Sequence, residues 1–197
     1  MTQSEQLDRM LDNQDGMLRT AQAVSAGISK PVFYDYVQAR ELQRVAPGIY
    51  LSGDSWLDTM YLLHLRFEQV VFSHETALFC HDLTDREPTE YAVTVKTGYN
   101  PTKLKAEGVR VFTIKARLHD VGLTTAGTPF GHTVPVYDME RTICDVLRSR
   151  SSMEVQTFQE ALKAYARRKD KNLRTLMHYA GMFRVEKLLR QYLEVLL

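Results

Sequence analysis

Residues 16–53 read GMLRTAQAVSAGISKPVFYDYVQARELQRVAPGIYLSG, and the fold turns on how this stretch divides. Met17, Leu18, Ala21 and Val24 recur at helical spacing and predict a short helix that Gly27 ends. Ser29 then caps a second helix with Pro31 in its first turn, where a missing N–H costs nothing. Two short helices meeting at a sharp angle need a small residue inside the first, and Ala23 supplies it. The turn between them needs positive φ, which Gly27 tolerates. Ile28, Phe33 and Val37 are spaced to lock the pair together. After them, LQRVAPGIYLS predicts strand, Pro-Gly turn, strand.

Upstream, SEQLDRMLDN places Leu7, Met10 and Leu11 on a first helix behind Ser4 as N-cap. The order of helix, short helix, glycine turn, capped helix and Pro-Gly hairpin is that of a winged helix-turn-helix, whose second short helix enters the DNA major groove. Arg19, Ser29, Lys30, Tyr34, Tyr36, Arg40 and Arg44 are then the candidate DNA contacts. Arg44 sits on the wing, placed to meet phosphate. An ordinary helical hairpin packed on something else is the plainer alternative, since Ala-x-x-x-Gly alone is a weak signal.

Beyond Asp54 the pattern changes. DTMYLLHLRF and HETALFCHDL predict helices, the second opened by Ser73, whereas YAVTVK, VRVFTIK and HTVPVYD alternate with period two and predict strands. MERTICDVLRS and three basic amphipathic helices near 154–168, 172–180 and 183–196 follow. The fold class expected is α+β: a winged helix-turn-helix over 1–53, then a mixed α+β domain over 54–197, divided near Ser52–Ser55.

The bulk numbers are those of a globular chain: 197 residues, 44% hydrophobic and 25% charged. No apolar run approaches the length of a membrane span, and the polar N-terminus is unlike a secretory or transit peptide, so the expected compartment is the cytoplasm. Cys80 and Cys144 are too few for a disulfide framework. The formal net charge of +1 is unevenly spread: Lys+Arg against Asp+Glu is 5 to 6 over 1–50, 8 to 12 over 51–140 and 12 to 6 over 141–197. Lys163, Arg167, Arg168, Lys169, Lys171 and Arg174 form one basic face if the helix continues through Asp170. Such a face suits a phosphate-rich partner or is simply a solvated helix surface. The DNA-contact candidates belong to the formally acidic part of the chain, so phosphate contacts must be concentrated on one face or shared with the basic helices.

Chemistry of other kinds finds little support. His74 and His81 lie in SHETALFCH, but not at the His-Glu-x-x-His spacing of a zinc helix, and no metal site is expected. Asp138, Glu140, Arg141 and Asp145 read as helix-start acids with an i,i+4 ion pair. There is no glycine-rich phosphate loop, nucleophile elbow or Cys-x-x-Cys pair, so neither enzyme activity nor a cofactor is expected.

Three segments together resemble the AbiEi family of antitoxins, from bacterial type IV abortive-infection toxin–antitoxin systems. LRTAQAVSAGISKPVFYDYVQARELQRVAPGIYLSG is similar to that family's winged helix, with the wing at Arg44, Gly48, Ile49 and Tyr50. FSHETALFCHDLTD resembles its first core helix after the linker, and VYDMERTICDVLR its strand-to-helix segment with Glu140, Arg141, Thr142 and Asp145. The resemblance implies a protein that represses its own operon by binding inverted repeats in double-stranded promoter DNA. It also implies a functional partner, a nucleotidyltransferase-like toxin, opposed without a stable complex. Two other readings stay open. One is a DNA-binding regulator whose second domain senses a ligand or oligomerises; the other is a nuclease-like enzyme.

Overall fold

A computed structural model describes residues 2–196, and the chain divides into two compact units, Met1–Leu57 and Asp58–Leu197. The division falls beyond Ser55 because Ser52 N–H donates to the Gly16 carbonyl at 2.8 Å and Ser55 N–H to the Ser52 carbonyl at 3.1 Å. Those bonds hold residues 52–55 with the first unit.

Unit 1 begins with α1 (Gln3–Asp12). Its cap is Thr2 rather than Ser4: the Thr2 hydroxyl accepts from Glu5 N–H at 3.2 Å while the Glu5 carboxylate accepts from Thr2 N–H at 2.8 Å. Only Thr2 has a carboxylate three residues on to return the bond; Ser4 has Leu7 there. Met17–Arg19, read from sequence as the start of a helix, is instead a strand, β1. It pairs antiparallel with β3 (Ile49–Leu51), Met17 opposite Leu51 and Arg19 opposite Ile49. Met17 and Leu18 are both buried, so the strand shows no alternation, and three residues are too few to reveal a period.

The helix proper, α2, is Thr20–Ser25, and α3 is Lys30–Ala39. Gly27, between them, has φ +85°. β2 (Gln43–Ala46) returns to β3 through Pro47 and Gly48, giving a three-stranded antiparallel sheet in the order β1-β3-β2. Leu7, Leu18, Ala23, Ile28, Phe33 and Tyr50 close the core of this unit.

Unit 2 contains α4 (Thr59–Arg66), β4 (Val71–Phe72), α5 (His74–Cys80), β5 (Ala92–Lys96), α6 (Thr102–Ala106), β6 (Arg110–Ile114) and α7 (Ala116–His119). It continues through β7 (Leu123–Gly127), β8 (Thr133–Tyr137), α8 (Met139–Arg148), α9 (Val155–Arg167), α10 (Leu173–Phe183) and α11 (Glu186–Leu196). The five strands form one mixed sheet in the order β6-β5-β4-β8-β7. Val93, Val95, Val134 and Val136 pack with Met60, Leu63 and Leu104 on one side. A second cluster joins α5 and α8–α11 through Leu78, Ile143, Phe158, Leu176 and Leu189. The fold is mixed α+β.

α8 is buried along its length, and Arg141 is its anchor. Its Nε donates to Asp145 Oδ2 at 2.9 Å, and Nη1 donates to the carbonyls of Leu118 and Val121, both at 2.8 Å. The guanidinium carbon lies 4.0 Å from the Tyr137 ring centre and 4.1 Å from that of Phe183. Gly122, at φ +73°, leaves room for this side chain: a Cβ there would stand 2.6 Å from Arg141 Cβ.

Candidate nucleic-acid interface

The residues of α3 sort onto two stripes. Phe33 is fully buried and Tyr36 nearly so, whereas Lys30, Tyr34 and Gln38, four residues apart, are exposed. Tyr36 was expected among the DNA contacts with Tyr34; the structure corrects this by burying it. Its hydroxyl donates to Asp8 Oδ1 of α1 at 2.7 Å, and burial together with that carboxylate pushes its phenol up to about 12. Arg40 reaches the same oxygen at 2.5 Å. Its side chain therefore lies toward α1, about 80° from the nearest point of the exposed stripe at 100° per residue. Both residues hold α3 to α1.

What remains exposed is Ser29, which precedes the helix without a side-chain capping bond, then Lys30 and Tyr34. Tyr34 is fixed edge-on to Phe33 (5.5 Å between ring centres) and faces Tyr50 at 6.5 Å. An exposed tyrosine braced by two core rings is a rigid contact with its hydroxyl free to bond.

Arg44 stands exposed on β2 opposite Tyr50. Arg19 ends β1, half-buried, directly before α2. The start of α2 is tied to the hairpin turn, since Thr20 N–H donates to the Gly48 carbonyl at 2.9 Å. Among the described residues, Arg19, Lys30 and Arg44 have no carboxylate within ion-pair distance, and buried Arg19 Nε, Thr20 Oγ1 and Gln22 Oε1 have no hydrogen-bond partner. Buried polar groups left this way are met by an ordered water or by a local rearrangement that brings them a partner. Thr20 and Gln22 escape sequence reading because the strand-to-helix joint at 19–20 is hidden once Met17 and Leu18 are taken as helical.

The basic residues of unit 2 do not form one continuous helix face. α9 stops at Arg167 and α10 starts at Leu173. The break is fixed by Glu140, whose carboxylate accepts from Tyr165 Oη at 3.0 Å and from Asn172 N–H at 2.8 Å, while Asn172 caps α10 through Thr175 N–H. Arg168 folds back onto Asp170 with two 2.8 Å bonds, holding that carboxyl below its usual range, and Lys171 Nζ donates to the Arg168 carbonyl. Lys163 and Arg167 line a hollow shared with Asp82, Asp85 and Glu160. Lys169 and Arg174 remain exposed, on different elements. The charges that looked like one stripe are divided between elements, and one of them, Arg168, is paired with an acid.

His74 and His81 turn to different partners. His74, at φ +50° and buried, lies 3.0 Å from Ser73 Oγ and 3.1 Å from Ser149 Oγ, stacked on Phe112. Burial and the cations Arg110, Arg141 and Arg148 lower it to about 3. His81 Nε2 meets the Tyr137 carbonyl at 2.6 Å. Burial raises the Cys80 thiol to about 11. Among the described residues no group of His, Cys, Asp or Glu is arranged to hold a metal ion, and no helix is long and apolar enough to cross a membrane.

No family model matches the chain, and no curated protein matches it. Among solved structures, it is similar to the crystal structure of the Rv2827c protein from Mycobacterium tuberculosis, with a TM-score of 0.60 and 14% identity, covering 92% of this chain and 72% of that one. At that identity the likeness is one of fold.

Proposed function

We propose that unit 1 is a winged helix-turn-helix and that the protein binds double-stranded DNA as the antitoxin of a type IV toxin–antitoxin pair. The observation that carries the DNA reading is the exposed stripe of α3, with Ser29, Lys30 and Tyr34 at its N-terminal half and the unpaired cations Arg19 and Arg44 on neighbouring elements. α3 is the recognition helix in this reading, its N-terminal residues meeting base edges. The β2–β3 hairpin is the wing, with Arg44 on phosphate. The antitoxin reading rests on the resemblance of the three sequence segments to the AbiEi family. It assigns the protein repression of its own promoter at inverted repeats and neutralisation of a nucleotidyltransferase-like toxin.

Two measurements on the full chain test this. Gel-shift titration on the DNA upstream of its own gene reads the first half; failure to bind that DNA in preference to unrelated DNA overturns it. Co-expression with the adjacent toxin gene reads the second. Growth that is not restored, with DNA binding intact, leaves a DNA-binding regulator in place of an antitoxin.

A further inference from the structure

β7 is an edge strand of the five-stranded sheet, and among the described residues it pairs only with β8. Which of its backbone groups are free follows from the ladder. Asp138 N–H donates to the Gly122 carbonyl at 2.8 Å, and Thr128 N–H to the His132 carbonyl at 2.7 Å. Antiparallel pairs bond at every second residue, so Thr124 and Ala126 also bond to β8. The N–H and C=O groups of Thr125 and Gly127 and the Leu123 C=O therefore point to the open edge, whereas the Leu123 N–H donates to the Asp120 carbonyl at 3.4 Å.

Soluble proteins protect such edges with charge, proline or a bulge. β7 reads LTTAG, with none of these. The opposite edge, β6, starts at Arg110, whose guanidinium is held by Glu75 and the Ser152 carbonyl. The unprotected edge is also the one with large exposed apolar side chains at its ends: Leu123 is 47% exposed and Phe130 48%.

We propose that β7 pairs antiparallel with β7 of a second copy of this chain about a two-fold axis at Thr125, joining two sheets into one of ten strands. This register is self-complementary. Thr125 faces Thr125 as a doubly bonded pair, and Leu123 faces Gly127, whose N–H meets the free Leu123 carbonyl. On the side-chain face, Leu123 comes to lie beside Gly127 of the other copy, where an added Cβ would meet nothing within 4 Å. No charged residue of the strand opposes another, and the pairing ends where Pro129, lacking an N–H, reaches Val121. Isologous contact of this kind closes as a dimer. The inference does not depend on the DNA reading, since it concerns unit 2 alone.

Sedimentation of the full chain across a range of concentrations tests it. The expected result is a reversible monomer–dimer equilibrium. In Thr125→Pro the dimer dissociation constant rises at least tenfold, while the thermal transition measured at concentrations where both chains are monomeric is unchanged, because the N–H removed is outside the β8 ladder. A wild-type chain that stays monomeric at about 0.1 mM overturns the proposal, as does a dimer that Thr125→Pro leaves intact. Cross-linking reads the register independently of any loss of folding. Two Cα atoms in a doubly bonded pair stand about 5.5 Å apart, within disulfide range. Thr125→Cys therefore yields a disulfide dimer on mild oxidation, whereas Thr113→Cys on β6, and the wild type with only Cys80 and Cys144, do not. No cross-link at position 125, or an equal one at 113, overturns the register.

Discussion

The arginine that meets an aspartate in unit 1, Arg40, does so at the surface, with 55% of its side chain and 35% of that of Asp8 exposed. In unit 2 the corresponding figures for Arg141 and Asp145 are 0% and 2%. The first pair is a strap across two helices that water can replace. The second lies in the middle of a core. Carbonyls and the carboxylate answer Arg141 Nε and Nη1, rings flank the guanidinium, and among the described residues Nη2 is left without a hydrogen-bond partner. Neither residue can lose the other without a charge stranded away from water. Unit 1 thus keeps Arg9, Lys30 and Arg44 outside, where they can meet a partner. Unit 2 spends its central arginine on holding α8 to the sheet.

The largest expected effect tests that contrast. Arg141→Met leaves Asp145 sealed with only Arg148, 3.5 Å away, in reach. The expected loss of stability is about 3–5 kcal/mol, a fall in melting temperature of roughly ten degrees. Restoring neutrality with Asp145→Leu in the same chain should recover most of it. Arg40→Met costs at most about 1 kcal/mol. Equal losses at the two sites, measured by denaturant titration, would break the comparison.

The two units should also separate by pH. All six histidines lie in unit 2, and His74 is held neutral with its basicity lowered from 6.5 to about 3. A base with a depressed folded value takes up its proton more readily when unfolded. Its contribution to stability is therefore complete above about pH 6.5 and is lost as the pH falls toward 3. The slope approaches about 1.4 kcal/mol per pH unit. Unit 2 should lose stability between pH 6.5 and 5 while unit 1, without histidine, does not. His74→Asn, a residue that accepts φ near +50°, should flatten that slope. An acid limb unchanged in the variant would assign it to other groups.

Smaller still are the effects on DNA. Lys30→Ala should weaken binding several-fold and reduce the slope of log affinity against log salt by about one. Arg44→Ala should weaken operator and unrelated DNA alike, since a phosphate contact carries no sequence information. A loss confined to operator DNA would make Arg44 a base reader.

How much of this was legible in the sequence depended on whether the deciding contacts were local. Gly27 at φ +85°, buried Ala23, Ile28 and Phe33, and the β2–β3 turn were readable because turn chemistry and helical spacing act within a few residues. α8 was readable for the same reason, with Asp138 accepting from Arg141 N–H at its start. β1, β4 and β7 were not: strands of three and two residues have no period, and LTTAG has little apolar content. The basic run at 163–174 misled because its break is imposed from afar by Glu140, thirty-two residues from Asn172. Tyr36 misled because nothing local marks Asp8 as its partner.

That last error gives the finest test of the site. Tyr36 and Arg40 share Asp8 and lie on the α1 side of α3, whereas Lys30 and Tyr34 occupy the stripe with Gln38. If the exposed stripe meets DNA, chemistry on the other stripe acts only through the stability of unit 1. Tyr36→Phe removes one hydrogen bond to a charged group, about 1.5–3 kcal/mol. Arg40→Ala removes half of a surface pair, less than about 1 kcal/mol. Below the melting transition both variants should bind DNA within about twofold of the wild type and with an unchanged salt slope, while Tyr34→Ala falls well outside that range. Salt slopes measured by fluorescence anisotropy on one labelled duplex separate these cases. A slope reduced by about one in Arg40→Ala would mean that its guanidinium leaves Asp8 for a phosphate on binding, and that the α1 side of α3 belongs to the interface after all.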